Sequence, residues 1–170
     1  IENPNGTTVE SKALFGRAVK QFNNMISLES HRRALTLPSA GLENGSLITN
    51  DVTDEKFIVV ATFKEVIENM LASIVGHMLL CNSTIQVVEI VKTAVNEYGD
   101  LATNKVVKYN SINCYTQTLT ANLRQQDMGL FLDSEFLIYA PYFDLNVLDQ
   151  LTLISGNKQV PLKVIYSDYI

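Results

Sequence analysis

Apolar positions in the first half of the chain recur at spacings of three and four. Leu14, Phe15, Ala18, Val19, Phe22, Met25 and Ile26 form one such series, which predicts an amphipathic helix. Thr7 and Glu10 ahead of it match a capping box, the Thr hydroxyl accepting from a first-turn amide while Glu reaches back. Gly16 costs this helix about 1 kcal/mol relative to Ala, and Pro38 sets its outer limit. A second series, Phe63, Val66, Ile67, Met70, Leu71, Ile74, Val75, Met78 and Leu79, keeps the same period behind Thr62 and Glu65. It predicts a second helix from Phe63 to about Leu80.

Between the two series, Ser39 to Asp54 is rich in Gly, Asn, Ser, Thr and Asp, with Asn44-Gly45 at its middle. That composition predicts a long surface loop or a short hairpin. Phe57 to Ala61 fits a buried strand or the first turns of a helix. Thr84 to Lys92 has strand composition, yet Val87, Val88, Val91, Ala94, Val95 and Tyr98 also fit a helical face that stops at Gly99, and helix is expected for the later half.

From Asn104 the pattern turns to strand: Lys105 to Tyr109, Ser111 to Leu123, Leu130 to Leu132 and Phe136 to Tyr139. Leu151 to Ile154 and Val160 to Tyr166 flank Ser155-Gly156-Asn157-Lys158-Gln159, a hairpin signal, because Gly and Asn tolerate the positive φ of a reversal. Pro161 cannot donate to a ladder, so its strand starts late, lies at an edge or is bulged. The predicted class is α+β: two long amphipathic helices in the amino-terminal half packed on a mostly antiparallel sheet or small β-barrel. Residues 1–9, with Asn3-Pro4-Asn5-Gly6, are expected to form a mobile arm. Residues 10–170 form a single domain, helix-rich over 10–100 and strand-rich over 101–170.

Composition narrows the function. The chain has 170 residues, 46% hydrophobic and 18% charged, enough for a real core and unlike a disordered segment. A net charge of −5 argues against sequence-independent nucleic-acid binding, which needs a basic face, and no direct nucleic-acid partner is expected. The apolar stretch from Phe57 to Leu80 is long enough to cross a bilayer, but Lys64, Glu65, Glu68, Asn69 and His77 interrupt it, so no membrane partner is expected either. Cys81 and Cys114 are too few for a disulfide scaffold or a thiolate zinc site. Free buried thiols are expected, with one bridge left open. The chain begins at Ile1 rather than Met, which suggests a processed amino terminus; no signal peptide is visible in it.

Chemistry-bearing motifs are absent from the sequence: no G-x-G-x-x-G, P-loop, G-x-S-x-G, H-E-x-x-H or C-x-x-C. No catalytic, cofactor-binding or metal-ligating residue is assigned, no cofactor is expected, and the chain reads as a non-enzyme. His77 has only His31 as a fellow imidazole and lacks metal-ligand spacing. Asp127, Asp133, Glu135, Asp144 and Asp149 could in principle hold a carboxylate pair, but Asp in strand-rich regions more often marks turns. Asn5, Asn44 and Asn82 meet the glycosylation rule only formally. Two features remain as candidate partner contacts. His31-Arg32-Arg33 places Arg32 and Arg33 where cations complement a helix end. Tyr139, Tyr142, Phe143, Tyr166 and Tyr169 concentrate aromatics in the last third, the residue type enriched where a surface meets a partner.

The cadence Leu145-Asn146-Val147-Leu148-Asp149-Gln150-Leu151-Thr152-Leu153, then a Gly-containing turn, then Val160 to Tyr166, resembles the carboxyl-terminal barrel strands of tailed-bacteriophage connector and head-completion proteins. The resemblance is confined to the stretch beginning at Glu135, and Pro161 and the long front half depart from it. It implies a non-enzymatic ring subunit in the neck or tail of a virion, self-associating and contacting other structural proteins of the same assembly. Without the resemblance, a cytoplasmic location is expected. Two alternatives stand beside it: a small-molecule-binding or enzymatic α+β domain with a pocket between helices and sheet, and a regulatory module that binds peptides at an exposed strand edge.

Overall fold

The computed structural model describes residues 1–4, 6–17, 30–95, 101–119, 134–146 and 148–164. The described residues contain no α-helix. They form ten strands and one short 3-10 turn, Pro38–Ala40. The first sheet contains β1 (Ala13–Arg17), β2 (His31–Thr36), β3 (Leu47–Asn50), β4 (Glu55–Ile67) and β5 (Met70–Leu80), in the order β1-β2-β5-β4-β3. The second contains β6 (Ser83–Val95), β7 (Leu101–Thr118), β8 (Phe136–Tyr139), β9 (Gln150–Ser155) and β10 (Lys158–Leu162), in the order β10-β9-β6-β7-β8. All pairings are antiparallel, and both sheets curl. The fold is all-β, and the predicted α+β class is wrong.

The first predicted helix begins as β1; most of its remaining length lies outside the described residues. The predicted second helix is a hairpin. Glu68 (φ 49°) and Asn69 (φ 63°) reverse the chain between β4 and β5, the two positive φ values that a two-residue primed turn requires. Thr62 and Glu65 do not cap anything. The Thr62 hydroxyl donates to Asn44 Oδ1 at 3.1 Å, and Glu65 accepts from Arg33 and Ser73. Phe57 to Ala61 belongs to β4, and Thr84 to Val95 is strand throughout, so the helix expected in its later half is absent.

The physical reason for the helical signature is that apolar residues occupy both faces of the hairpin, buried at its inner end and exposed from Phe63 to Leu71. Phe57, Ile58 and Val59 are consecutive and all buried, as are Met78 and Leu79. Phe57, Val59 and Met78 face a cluster with Ala34, Leu42, Ile48 and Ile74. Ile58 and Leu79 face the other way and meet Tyr115 of β7, with Val60, Cys81 and Tyr139 around them. Central strands buried on both sides lose the period-two alternation of a half-solvated sheet. Register shifts at Val59/Ala61 and Glu65/Val66 then move the phase within β4, as β-bulges do.

The chain passes from one sheet to the other through Cys81 and Asn82. Here the Asn82 side chain does the work of a strand residue: its Nδ2 donates to the Thr116 carbonyl and its Oδ1 accepts the Thr116 amide, both at 2.9 Å. A second core fills the other sheet around Ile85, Val87, Cys114, Leu151 and Leu153.

The carboxyl-terminal hairpin forms as expected, but with a two-residue turn in place of the five-residue loop and with its second strand at Lys158–Leu162 rather than from Val160 to Tyr166. Gly156 (φ 56°) and Asn157 turn β9 into β10, and Pro161 sits opposite Thr152 on a strand at the sheet edge, where a missing donor costs no ladder bond. At the other end, Glu2 bridges both Thr8 and Leu47. Buried Asn3 accepts from the Ser46 hydroxyl at 2.9 Å. The residues read as an arm thus close a turn against β3.

Candidate interaction surface: the projecting ribbon

Strand length decides where the surface lies. β5 is flanked by β2 only from Ile74 to Leu79, and β4 is flanked by β3 only from Glu55 to Ile58. Past those limits the two strands keep pairing with each other, Val66 opposite Leu71 and Ile67 opposite Met70. At 3.3 Å per residue, the stretch from Phe63 to the turn runs about 15 Å. Every residue from Phe63 to Ala72 is exposed.

That ribbon is apolar on both faces. Cross-strand partners share a face and successive residues alternate, so Val66 and Leu71 lie on one side, Ile67 and Met70 on the other. Val66 is 60% exposed, Ile67 64% and Met70 69%. An isolated two-stranded ribbon is marginal in water, and contiguous exposed apolar side chains mark an interaction site. Charge is confined to the base and the apex. Arg33 Nη2 lies 3.3 Å from Glu65 Oε1, the Ser73 hydroxyl donates to Glu65 Oε2 at 2.7 Å, and Glu68 occupies the turn. The second sheet repeats the plan. β6 and β7 continue to pair from Glu89/Val106 to Val95/Leu101, beyond the reach of β9 and β8, and adjacent Val106 and Val107 are both half exposed.

The residues expected to contact partners are dispersed. Arg32 and Arg33 are neighbours on a strand, not a helix end, and point to opposite faces; Arg33 serves the base of the ribbon, while Arg32 donates to the His31 carbonyl at 2.9 Å. Tyr139 lies at the junction of the sheets, its ring 6.4 Å from that of Tyr115. Burial first, then Tyr115, raises its phenol pKa. Phe143 packs edge-on to Tyr109 at 6.0 Å, and Tyr142 is exposed beside a shallow open hollow of about 250 Å³ with Pro4, Gly45 and Pro141. Tyr166 and Tyr169 lie outside the described residues.

The sites considered for chemistry find structural explanations. His77 stacks edge-on against Phe63 at 5.3 Å; burial, then the charges of Arg33 and His31, lower its pKa. Asp144 and Asp149 share the Lys108 ammonium at 3.3 and 3.7 Å, an ion-pair cluster of two carboxylates on one cation. Asp127 and Asp133 lie outside the described residues. Cys81 and Cys114 are free thiols. Among the described residues no three His, Cys, Asp or Glu side chains converge to hold a metal, and no helix is long and apolar enough to cross a membrane. The ribbon was hidden in the sequence by its helical period; Glu68-Asn69, where Asn tolerates left-handed backbone, was the available signal.

No protein-family model, no curated protein and no solved structure matches this chain.

Proposed function

We propose that the chain is a non-enzymatic structural subunit that assembles by repeated contacts with copies of itself and with other proteins of the same particle. The observation that carries this reading is the β4–β5 ribbon, which holds Val66, Ile67, Met70 and Leu71 in water on both faces of a two-stranded arm. Fully burying four such side chains is worth about 1.5–3 kcal/mol each before the costs of association. Such an arm suits a subunit that must grip a neighbour. In the setting implied by the resemblance of the stretch beginning at Glu135, the assembly is a ring in the neck or tail of a virion.

Light scattering across a concentration series tests the reading. The wild-type chain is expected to form a discrete higher-order species, and Val66→Ser/Ile67→Ser/Met70→Ser/Leu71→Ser to remain monomeric with an unchanged circular dichroism spectrum. A wild-type chain that stays monomeric at every concentration, and that no co-expressed structural protein draws into a complex, would refute it.

A further inference from the structure

We propose that the ribbon of one copy docks on the outer edge of β1 of the next, a head-to-tail contact between two different surfaces. This rests on the assembly reading above and adds to it the acceptor and the polarity of the contact.

The acceptor follows from comparing the sheet edges. A strand edge offers unpaired amides and carbonyls to any extended segment, and proteins protect such edges. β3 is capped at Leu47, whose amide and carbonyl both bond Glu2 at 2.8 Å. β10 carries Lys158 and Pro161. β8 is only four residues long and is followed at once by Ala140-Pro141. β1 has no capping bridge of the kind Leu47 has among the described residues, and its exposed cation, Lys12, precedes the strand. It pairs with β2 along all five residues, contains no proline, and no described strand lies on its outer side. Leu14 on it is 72% exposed, the largest value among the apolar residues of the first sheet's strands.

The ribbon complements that edge in three respects. Its own margins lie beyond the reach of the flanking strands, β5 from Met70 to Ser73 and β4 from Phe63 to Ile67, so it can extend a neighbour's ladder by strand addition. Its apolar side chains match Leu14. Its apex carries Glu68, whereas exposed Lys12 stands at the start of the β1 edge, opposite signs that set register and partner choice. The charged apex also argues for a protein rather than a bilayer: Glu68 and Asn69 would be the first groups into the hydrocarbon, where a carboxylate is costly. Because donor and acceptor surfaces differ, the contact is heterologous, which closes a ring or extends a filament.

Such a contact predicts complementation. A ribbon variant (Val66→Ser/Ile67→Ser/Met70→Ser/Leu71→Ser) keeps an intact β1 edge; an edge variant (Lys12→Glu/Leu14→Glu) keeps an intact ribbon. Each alone is expected to be monomeric by light scattering, and an equimolar mixture to stop at the mass of two chains, one of each kind. Glu68→Lys introduced into a Lys12→Glu single variant is expected to recover the self-association that Lys12→Glu alone weakens, since that charge pair is rebuilt with signs exchanged. Circular dichroism and thermal melts confirm that each variant is folded; Leu14 and Lys12 are exposed, so their replacement leaves the core untouched. If the edge variant assembles as wild type does while the ribbon variant fails, or if the mixture forms no two-chain species, the β1 acceptor is refuted and the assembly reading survives. If wild type never assembles with itself, both the acceptor and self-assembly fall.

Discussion

Gly76 offers a test of the core on which the ribbon is anchored. It lies near the middle of β5, opposite Thr62 of β4 and Ala34 of β2. A Cβ added there would sit 2.7 Å from Leu42 Cδ2 and 3.6 Å from Val59 Cγ1, against an optimal carbon–carbon separation of about 3.5–4.0 Å. Leu42 is 3% exposed and belongs to the cluster with Phe57, Val59 and Met78, so its methyl has little room to swing. Overpacking of this kind costs about 1–3 kcal/mol, opposed by about 0.4–1 kcal/mol from the reduced freedom of the unfolded chain. Gly76→Ala is therefore expected to destabilise by about 0–2.6 kcal/mol. Leu42→Ala alone should cost about 2–5 kcal/mol, as other large-to-small core changes do. In the double variant the new methyl enters the space Leu42 vacates, so the double should be more stable than the sum by about 1 kcal/mol or more. Urea denaturation at constant m-value reads all three. A stabilising Gly76→Ala, or additivity of the double variant within about 0.5 kcal/mol, would mean that Leu42 does not occupy the site that glycine leaves.

The remaining expectations concern titratable groups. Burial pushes the Cys81 thiol up to about 11, and burial together with Cys81 pushes Cys114 up to about 12, so neither thiol is nucleophilic near neutrality; a disulfide-exchange reagent at pH 8 should label partly buried Cys81 slowly and buried Cys114 only at the rate of unfolding, and rapid labelling of Cys114 in the native chain would refute its burial. His77 has a folded pKa below its unfolded value of 6.5, through burial and then through Arg33 and His31. The unfolded chain thus binds its proton first, and the stability His77 provides is complete above pH 6.5 and lost as pH falls through the folded pKa. Thermal melts of His77→Gln should show a shallower loss of stability below pH 6.5 than wild type, and parallel profiles would refute this assignment.

The sequence revealed its turns better than its strands. Gly156-Asn157 is legible because each residue meets a stated backbone requirement, and Pro161 belongs at an edge for want of a donor. The first sheet was misread where tertiary burial overrode local period. Phe57-Ile58-Val59 is buried on both faces, and bulges near Val60 and Ala72 shift the phase of β4 and β5, so the apolar positions drift through three- and four-residue spacings as a helix would. Thr62 and Glu65 completed the impression by standing at capping spacing while bonding to Asn44, Arg33 and Ser73, which are distant in sequence.

The misread series and the candidate interaction surface share residues for one physical reason. A strand whose apolar residues serve a single core alternates and is recognised. Val66, Ile67, Met70 and Leu71 serve no core in the isolated chain, yet they occupy both faces of the ribbon, so alternation between apolar and polar residues is missing there. A neighbour that encloses the ribbon would supply the missing environment on both sides at once. Departures from local consistency concentrate where a fold meets something outside itself, and here the departure runs from Phe63 to Ala72, the stretch that the proposed assembly would bury.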